Sequence, residues 1–213
     1  MAMKKIRAYL LFTSWRYKLG IFLGLPVAAF LLGLLFWGSR WGVLVYGYIL
    51  TAILIFFEII ADQAVFAGIQ SQRGYKLDYL KTSPLGCKML WWGLTGDLVR
   101  KFFTAALCVS ICGGMGVLKA ESGFAGVMRI LLTIYFTETL TLFLSRYTYS
   151  AMLCVWIAYG GIVAGVMLLS VINAIPIQGV WLADGLLALG AVAVCVLTVR
   201  TAMKKWRRTF SDM

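Results

Sequence analysis

The chain has 213 residues, of which 62% are hydrophobic and 13% charged, with a mean hydropathy of +0.90. A soluble domain carries about 25% charged residues, so this composition excludes one and points to an integral, all-α membrane protein. The net charge of +12 gathers at the ends of apolar runs, which suits an anionic membrane surface; no nucleic-acid motif accompanies it. The absence of histidine removes the commonest metal ligand and the commonest general base.

Residues 1–19 are basic and loosely amphipathic. Ile6, Tyr9, Leu10 and Tyr17 share one helical face, with Lys4, Lys5, Arg7, Arg16 and Lys18 around the remainder. This reads as a helix lying in the membrane interface; a cleaved signal peptide fits less well, because the next apolar run is long enough to span. The first span is expected at 21–37, with Pro26 tolerated near its start. Gly38 to Gly42 forms a tight turn, and a second span is expected at 43–60, with Glu58 near its end and Asp62 just beyond.

Residues 62–101 form the long polar insert. Tyr75 to Lys81 reads as a short helix that sets Leu77 and Leu80 at i, i+3 beside Lys76, Asp78 and Lys81. Ser83-Pro84 reads as an N-cap and first helical proline opening the next helix. From Leu85 to Lys101 the pattern suits an interfacial helix carrying Trp91 and Trp92. The alternative for the whole insert is a solvated loop that fixes topology, although such loops are usually much shorter.

Four further spans are expected at 102–117, 127–144, 150–172 and 180–199, making six. With six spans, 17 of the 20 Lys and Arg residues fall on one side, leaving Arg40, Lys119 and Arg129 on the other. The positive-inside rule then puts both termini and the insert in the cytoplasm. The expected location is a plasma membrane, bacterial, crossed several times.

The five cysteines form no disulfide framework; Cys108 and Cys112, at i, i+4, read as small packing residues rather than a metal or redox pair. Glu58 and Glu138 carry more weight, because a carboxylate near the hydrocarbon costs several kcal/mol unless solvated or paired. Three roles are open to them: contact with a substrate, pairing with Arg and Lys of the insert, or hydration at the interface. No nucleophile motif accompanies these acids. Asn173 opens a polar break to Gly179, either a re-entrant turn or a loop on the outer side. Gly161 and Gly165 offer a close-packing face for a helix of the same chain or of a second copy.

A basic entry helix, two spans, a long cytoplasmic segment and four more spans resemble the permease subunit of type-2 ABC (ATP-binding cassette) exporters. The closest local likeness is Gln72-Arg73-Gly74, then Leu77, Leu80 and Ser83-Pro84-Leu85, with Gly93 beyond; Gln72 stands where the family often has an acid. The resemblance implies a permease that pairs with a second copy or a related permease and with ATPase subunits, which bind the ATP and Mg. It also implies that Arg73, Gly74, Tyr75, Lys76, Leu77, Asp78, Leu80 and Pro84 meet the ATPase. Read from the residues alone, Glu58, Asp62, Glu138 and Asn173 line a substrate path or pair within the membrane. The cargo implied is hydrophobic or amphipathic: a peptide, a lipid or a drug-like molecule. The chain has no Gly-xxxx-Gly-Lys-Ser/Thr phosphate loop, so by that route it holds no ATP itself. Two other classes fit six spans. The substrate-binding component of a vitamin importer would not need the basic insert, and a membrane-embedded lipid enzyme would show a compact set of catalytic polar residues.

Overall fold

The computed structural model describes residues 13, 15–35, 42–70, 83–114, 123–146, 151–174 and 180–208. Apart from Thr13, the turn at 83–85 and Arg146 these residues are helical, and no strand occurs among the described residues. In chain order they are α1 (Trp15–Leu19), a π-helical turn (Gly20–Gly24), α2 (Leu25–Leu35), α3 (Gly42–Gln70), α4 (Gly86–Gly114), α5 (Gly123–Ser145), α6 (Ala151–Ala174) and α7 (Val180–Arg208).

The first three elements run as one rod. Pro26 has no N–H to return to the Phe22 carbonyl, and the Leu25 N–H reaches back five residues to the Gly20 carbonyl. Widening one turn ahead of a proline is a familiar way to absorb its ring and missing donor. The apolar part of this rod is Tyr17–Leu35, so the first crossing begins four residues earlier than the sequence suggests. Of the expected interfacial segment 1–19, Thr13 and residues 15–19 lie among the described residues.

Among the described residues, five helical stretches are long and apolar enough to cross a membrane: Tyr17–Leu35, Val45–Asp62, Gly126–Ser145, Met152–Ile172 and Trp181–Lys204. This is the architecture of a helical, multi-pass membrane protein. α4 is not among the five. Lys88, Asp97, Arg100 and Lys101 lie along its first half, and the described apolar remainder stops at Gly114. Two boundaries also differ from the sequence reading. α3 continues beyond Asp62 to Gln70, and the stretch from Gly86 to Lys101 is not a separate interfacial helix but the first half of α4. Leu90, Leu94 and Leu98 hold that half in place: they are buried with Leu142 of α5 and with Val199, Ala202, Met203 and Trp206 of α7. A half-submerged interfacial helix would have left this leucine row in lipid.

A second cluster joins α2, α3, α4 and α5 through Ala29, Tyr46, Leu50, Ala105, Val109 and Ile134. Within it the Cys112 thiol contacts the Tyr46 hydroxyl and donates to the Ala29 carbonyl at 3.2 Å. α6 and α7 keep broad apolar faces outward, among them Trp156, Tyr159, Met167, Trp181 and Leu189. Such faces suit lipid, which needs no polar partner.

Candidate functional site: a buried ionic knot

One end of the bundle is where α3 and α5 finish, α4 begins and α7 runs out; most of the basic residues among the described ones lie toward it. About two turns inside it, three acids and three bases meet out of water. Glu58 and Asp62 stand four residues apart on α3, one helical turn, and so share a face. Asp97, Arg100 and Lys101 repeat that i, i+3, i+4 spacing on α4. Arg146 enters from the turn that ends α5. All six are buried.

The Arg100 guanidinium forks onto Glu58, with Nη1 donating to Oε1 at 2.7 Å and Nη2 to Oε2 at 2.5 Å. Nη2 also donates to Asp97 Oδ1 at 3.1 Å. Arg146 grips Asp62 in the same two-pronged way, through Nε at 3.1 Å and Nη2 at 2.7 Å, and touches Asp97 Oδ2 at 3.2 Å. Lys101 occupies the middle, its Nζ 3.0 Å from Asp97, 3.6 Å from Asp62 and 3.9 Å from Glu58. Two-pronged Arg–carboxylate pairs are among the stronger hydrogen-bonded contacts, and here they offset the desolvation that burial imposes. The Tyr17 ring adds a face 5.8 Å from the Arg100 guanidinium.

Charge balances within the knot. Burial by itself would raise the Asp97 carboxyl, yet Lys101, Arg100 and Arg146 around it hold it down at about 2. Lys101 shows the mirror case: burial disfavours its ammonium, and Asp97, Asp62 and Glu58 together more than restore it.

α3 and α4 flank residues 71–82 in sequence, and away from the knot they share the apolar cluster through Leu50, Leu54, Ala105 and Val109. At the knot they are joined by long side chains, Glu58 to Arg100 and Asp62 to Lys101. α5 is tied in through Arg146.

Glu138 stands apart from this arrangement. It is 1% exposed on α5, and among the described residues neither carboxylate oxygen has a hydrogen-bond partner. Thr133, Thr137 and Thr141 on the same helix turn their hydroxyls back onto their own backbone, to the carbonyls of Arg129, Thr133 and Thr137 at 2.8, 2.8 and 2.6 Å. At the other end of α5, Arg129 Nε faces Asp184 of α7 at 3.6 Å.

The remaining expected site residues divide cleanly. Arg73, Gly74, Tyr75, Lys76, Leu77, Asp78 and Leu80, with the short helix they were expected to form, lie outside the described residues. Pro84 is exposed in the turn before α4, where the Ser83 carbonyl accepts the Gly86 N–H at 3.0 Å. Asn173 falls in the last turn of α6, which runs on to Ala174. Gly161 and Gly165 face inward: Gly161 lies against Thr141, and Gly165 against Thr137 and Thr51. Their partner helices, α5 and α3, belong to the same chain. Sequence reasoning missed Asp97 and gave Arg146 only a topological role. The signal for Asp97 was its i, i+3, i+4 spacing to Arg100 and Lys101 on an otherwise apolar stretch.

Among the described residues no group of three acids or cysteines is placed to hold a metal ion. Comparison of the chain with protein families, curated proteins and solved structures returns no match.

Proposed function

We propose that this chain is the membrane-spanning permease subunit of an ATP-driven exporter, six spans with both termini and the 71–82 segment in the cytoplasm, working with separate ATPase subunits and a second permease. The observation that carries the reading is the knot's position. It binds together the two helices that hold the 71–82 segment and links both to α5. A partner that pushes on that segment thereby moves several helices at once, which is what alternating access by an external motor requires.

Three features of the sequence support the same reading. The basic residues fall overwhelmingly on the side of the 71–82 segment. That segment resembles a coupling helix, with Leu77 and Leu80 as apolar anchors and Arg73, Lys76 and Asp78 to set register by charge. The chain carries no phosphate loop, so ATP and Mg would belong to the partner. The sixth crossing in this reading is the apolar half of α4, expected from the sequence over 102–117. The cargo class that fits is hydrophobic or amphipathic, given helices with few charges outside the knot.

The test is co-purification of the tagged full chain from native membranes in mild detergent, with mass spectrometry of the co-purifying proteins. The expected result is a stoichiometric ATPase subunit, lost when Leu77 and Leu80 are changed to Asp while the chain still inserts. A well-folded chain that emerges alone across several detergents would overturn the reading.

A further inference from the structure

The six charges of the knot cancel, three against three, and Glu138 is the acid left over. Among the described residues no ion pair reaches it and its oxygens accept no hydrogen bond, and the hydroxyls of Thr137 and Thr141 on its helix are committed to backbone carbonyls. Arg100 and Lys101 act on it only at a distance, being already engaged by Glu58, Asp62 and Asp97. An ionised carboxylate so placed is shut off from bulk solvent and has no partner among the described residues, and such a group escapes the cost by taking up a proton. A metal ion would need further ligands, which the surroundings do not offer.

We propose that Glu138 is a proton-binding site, neutral in this closed packing, which releases its proton to water when the helices around α5 part. The titratable and charged groups on every side fit this. Glu58 of α3 and Asp97 of α4 oppose a further negative charge. Cys108 of α4, Tyr135 on α5 itself and Cys195 of α7 are ordinarily neutral and give it no counter-charge. α6 brings Cys154, whose thiol points to the Ser145 carbonyl at 3.8 Å, two turns away. Protonation at Glu138 thus favours the closed bundle, and ionisation favours an open, hydrated one. This inference stands whether or not the exporter reading holds, since it concerns the packing of one chain.

Infrared spectroscopy of the full chain reconstituted in lipid tests it. An undissociated carboxyl carbonyl band is expected at neutral pH, absent from Glu138→Gln and shifted but present in Glu138→Asp. Persistence of the whole band in Glu138→Gln, or its absence from the wild type, would overturn the proposal. Thermal unfolding supplies a second reading. A site protonated when folded and ionised when unfolded stabilises at low pH, and that contribution is lost as pH rises from the unfolded glutamate value, about 4.3, until the folded site ionises too. The wild type should therefore lose stability relative to Glu138→Gln as pH is raised from about 4 toward neutral. Parallel profiles would overturn the proposal too. Loss of the band on adding sodium or potassium at fixed pH would assign the site to a metal cation and overturn it as well.

Discussion

Lys101 lies within 4 Å of three carboxylates at once, and Asp97, one turn back on the same helix, is the acid it approaches most closely, at 3.0 Å. Asp97 in turn meets all three bases, since Arg100 and Arg146 both donate to it. The pair is the hub of the knot, and both members come from α4. A single helix therefore carries the centre of a network whose outer members sit on α3 and at the end of α5. Removing the Lys101 charge leaves three buried acids facing two bases. Lys101→Met should lower stability by about 3–5 kcal/mol, the usual cost of stranding a buried charge. Reversible unfolding in detergent checks this, and a change under 1 kcal/mol would mean that water enters the knot.

The Glu58–Arg100 fork lends itself to a double-mutant cycle. Glu58→Gln alone and Arg100→Met alone each leave a partner uncompensated and should each cost several kcal/mol. Together they remove both charges, so the double variant should be much less damaged than the two single losses added. A coupling energy of about 1–3 kcal/mol is expected. Additive losses would show that the fork contributes no pairwise energy.

Asp97 sets an acid limb. Its carboxyl, held at about 2 by three cations, stays ionised in the folded state at pH values where an unfolded aspartate, near pH 3.9, takes a proton. A carboxyl with a lowered folded value contributes stability above its unfolded value and loses it as pH falls. Stability should therefore drop between about pH 4 and 2 in the wild type and drop less in Asp97→Asn. Unfolding midpoints measured across that window decide it, and identical slopes would remove Asp97 from the acid limb.

Much of the fold could be read from composition and periodicity, because lipid imposes length and hydropathy directly on each crossing. Glu58, Asp62 and Glu138 stood out for the same reason, as acids in apolar runs. Helix continuity was harder. Gly86 to Lys101 carries Lys88, Asp97, Arg100 and Lys101, which locally resembles an interfacial segment. Burial of Leu90, Leu94 and Leu98 against α7, a contact between residues over a hundred positions apart, makes it one helix with the apolar half that ends at Gly114. Pairing was out of reach altogether. Nothing near Asp62 in sequence announces that its partner is Arg146, 84 residues on.

The leucine row on α4 carries its own expectation. Leu94 is fully buried between α5 and α7, so Leu94→Ala should cost about 2–5 kcal/mol, the range for a large-to-small change in a packed core. If α4 were instead half-submerged at a lipid surface, the loss would be nearer 1 kcal/mol. Chemical or thermal unfolding of the detergent-solubilised variant separates the two values.

Glycines on one helix should answer oppositely to the same change. A Cβ at Gly165 would stand 2.8 Å from Thr51 Cγ2 and 3.3 Å from the Thr137 hydroxyl, and one at Gly161 would run into Thr141. All three threonines bond back to their own helix and sit in the seam, so the helices themselves must move apart. Overpacking of this kind costs about 1–3 kcal/mol, which outweighs the gain of up to about 1 kcal/mol in helix propensity from glycine to alanine. Gly160, next in the chain, faces open space, with nothing within 4 Å of an added Cβ. Gly160→Ala should therefore raise the unfolding midpoint slightly, whereas Gly161→Ala and Gly165→Ala lower it. If Gly160→Ala proves as damaging as its neighbour, the outward face of α6 is itself a helix-packing surface, and the size of the purified particle should show a second copy against it.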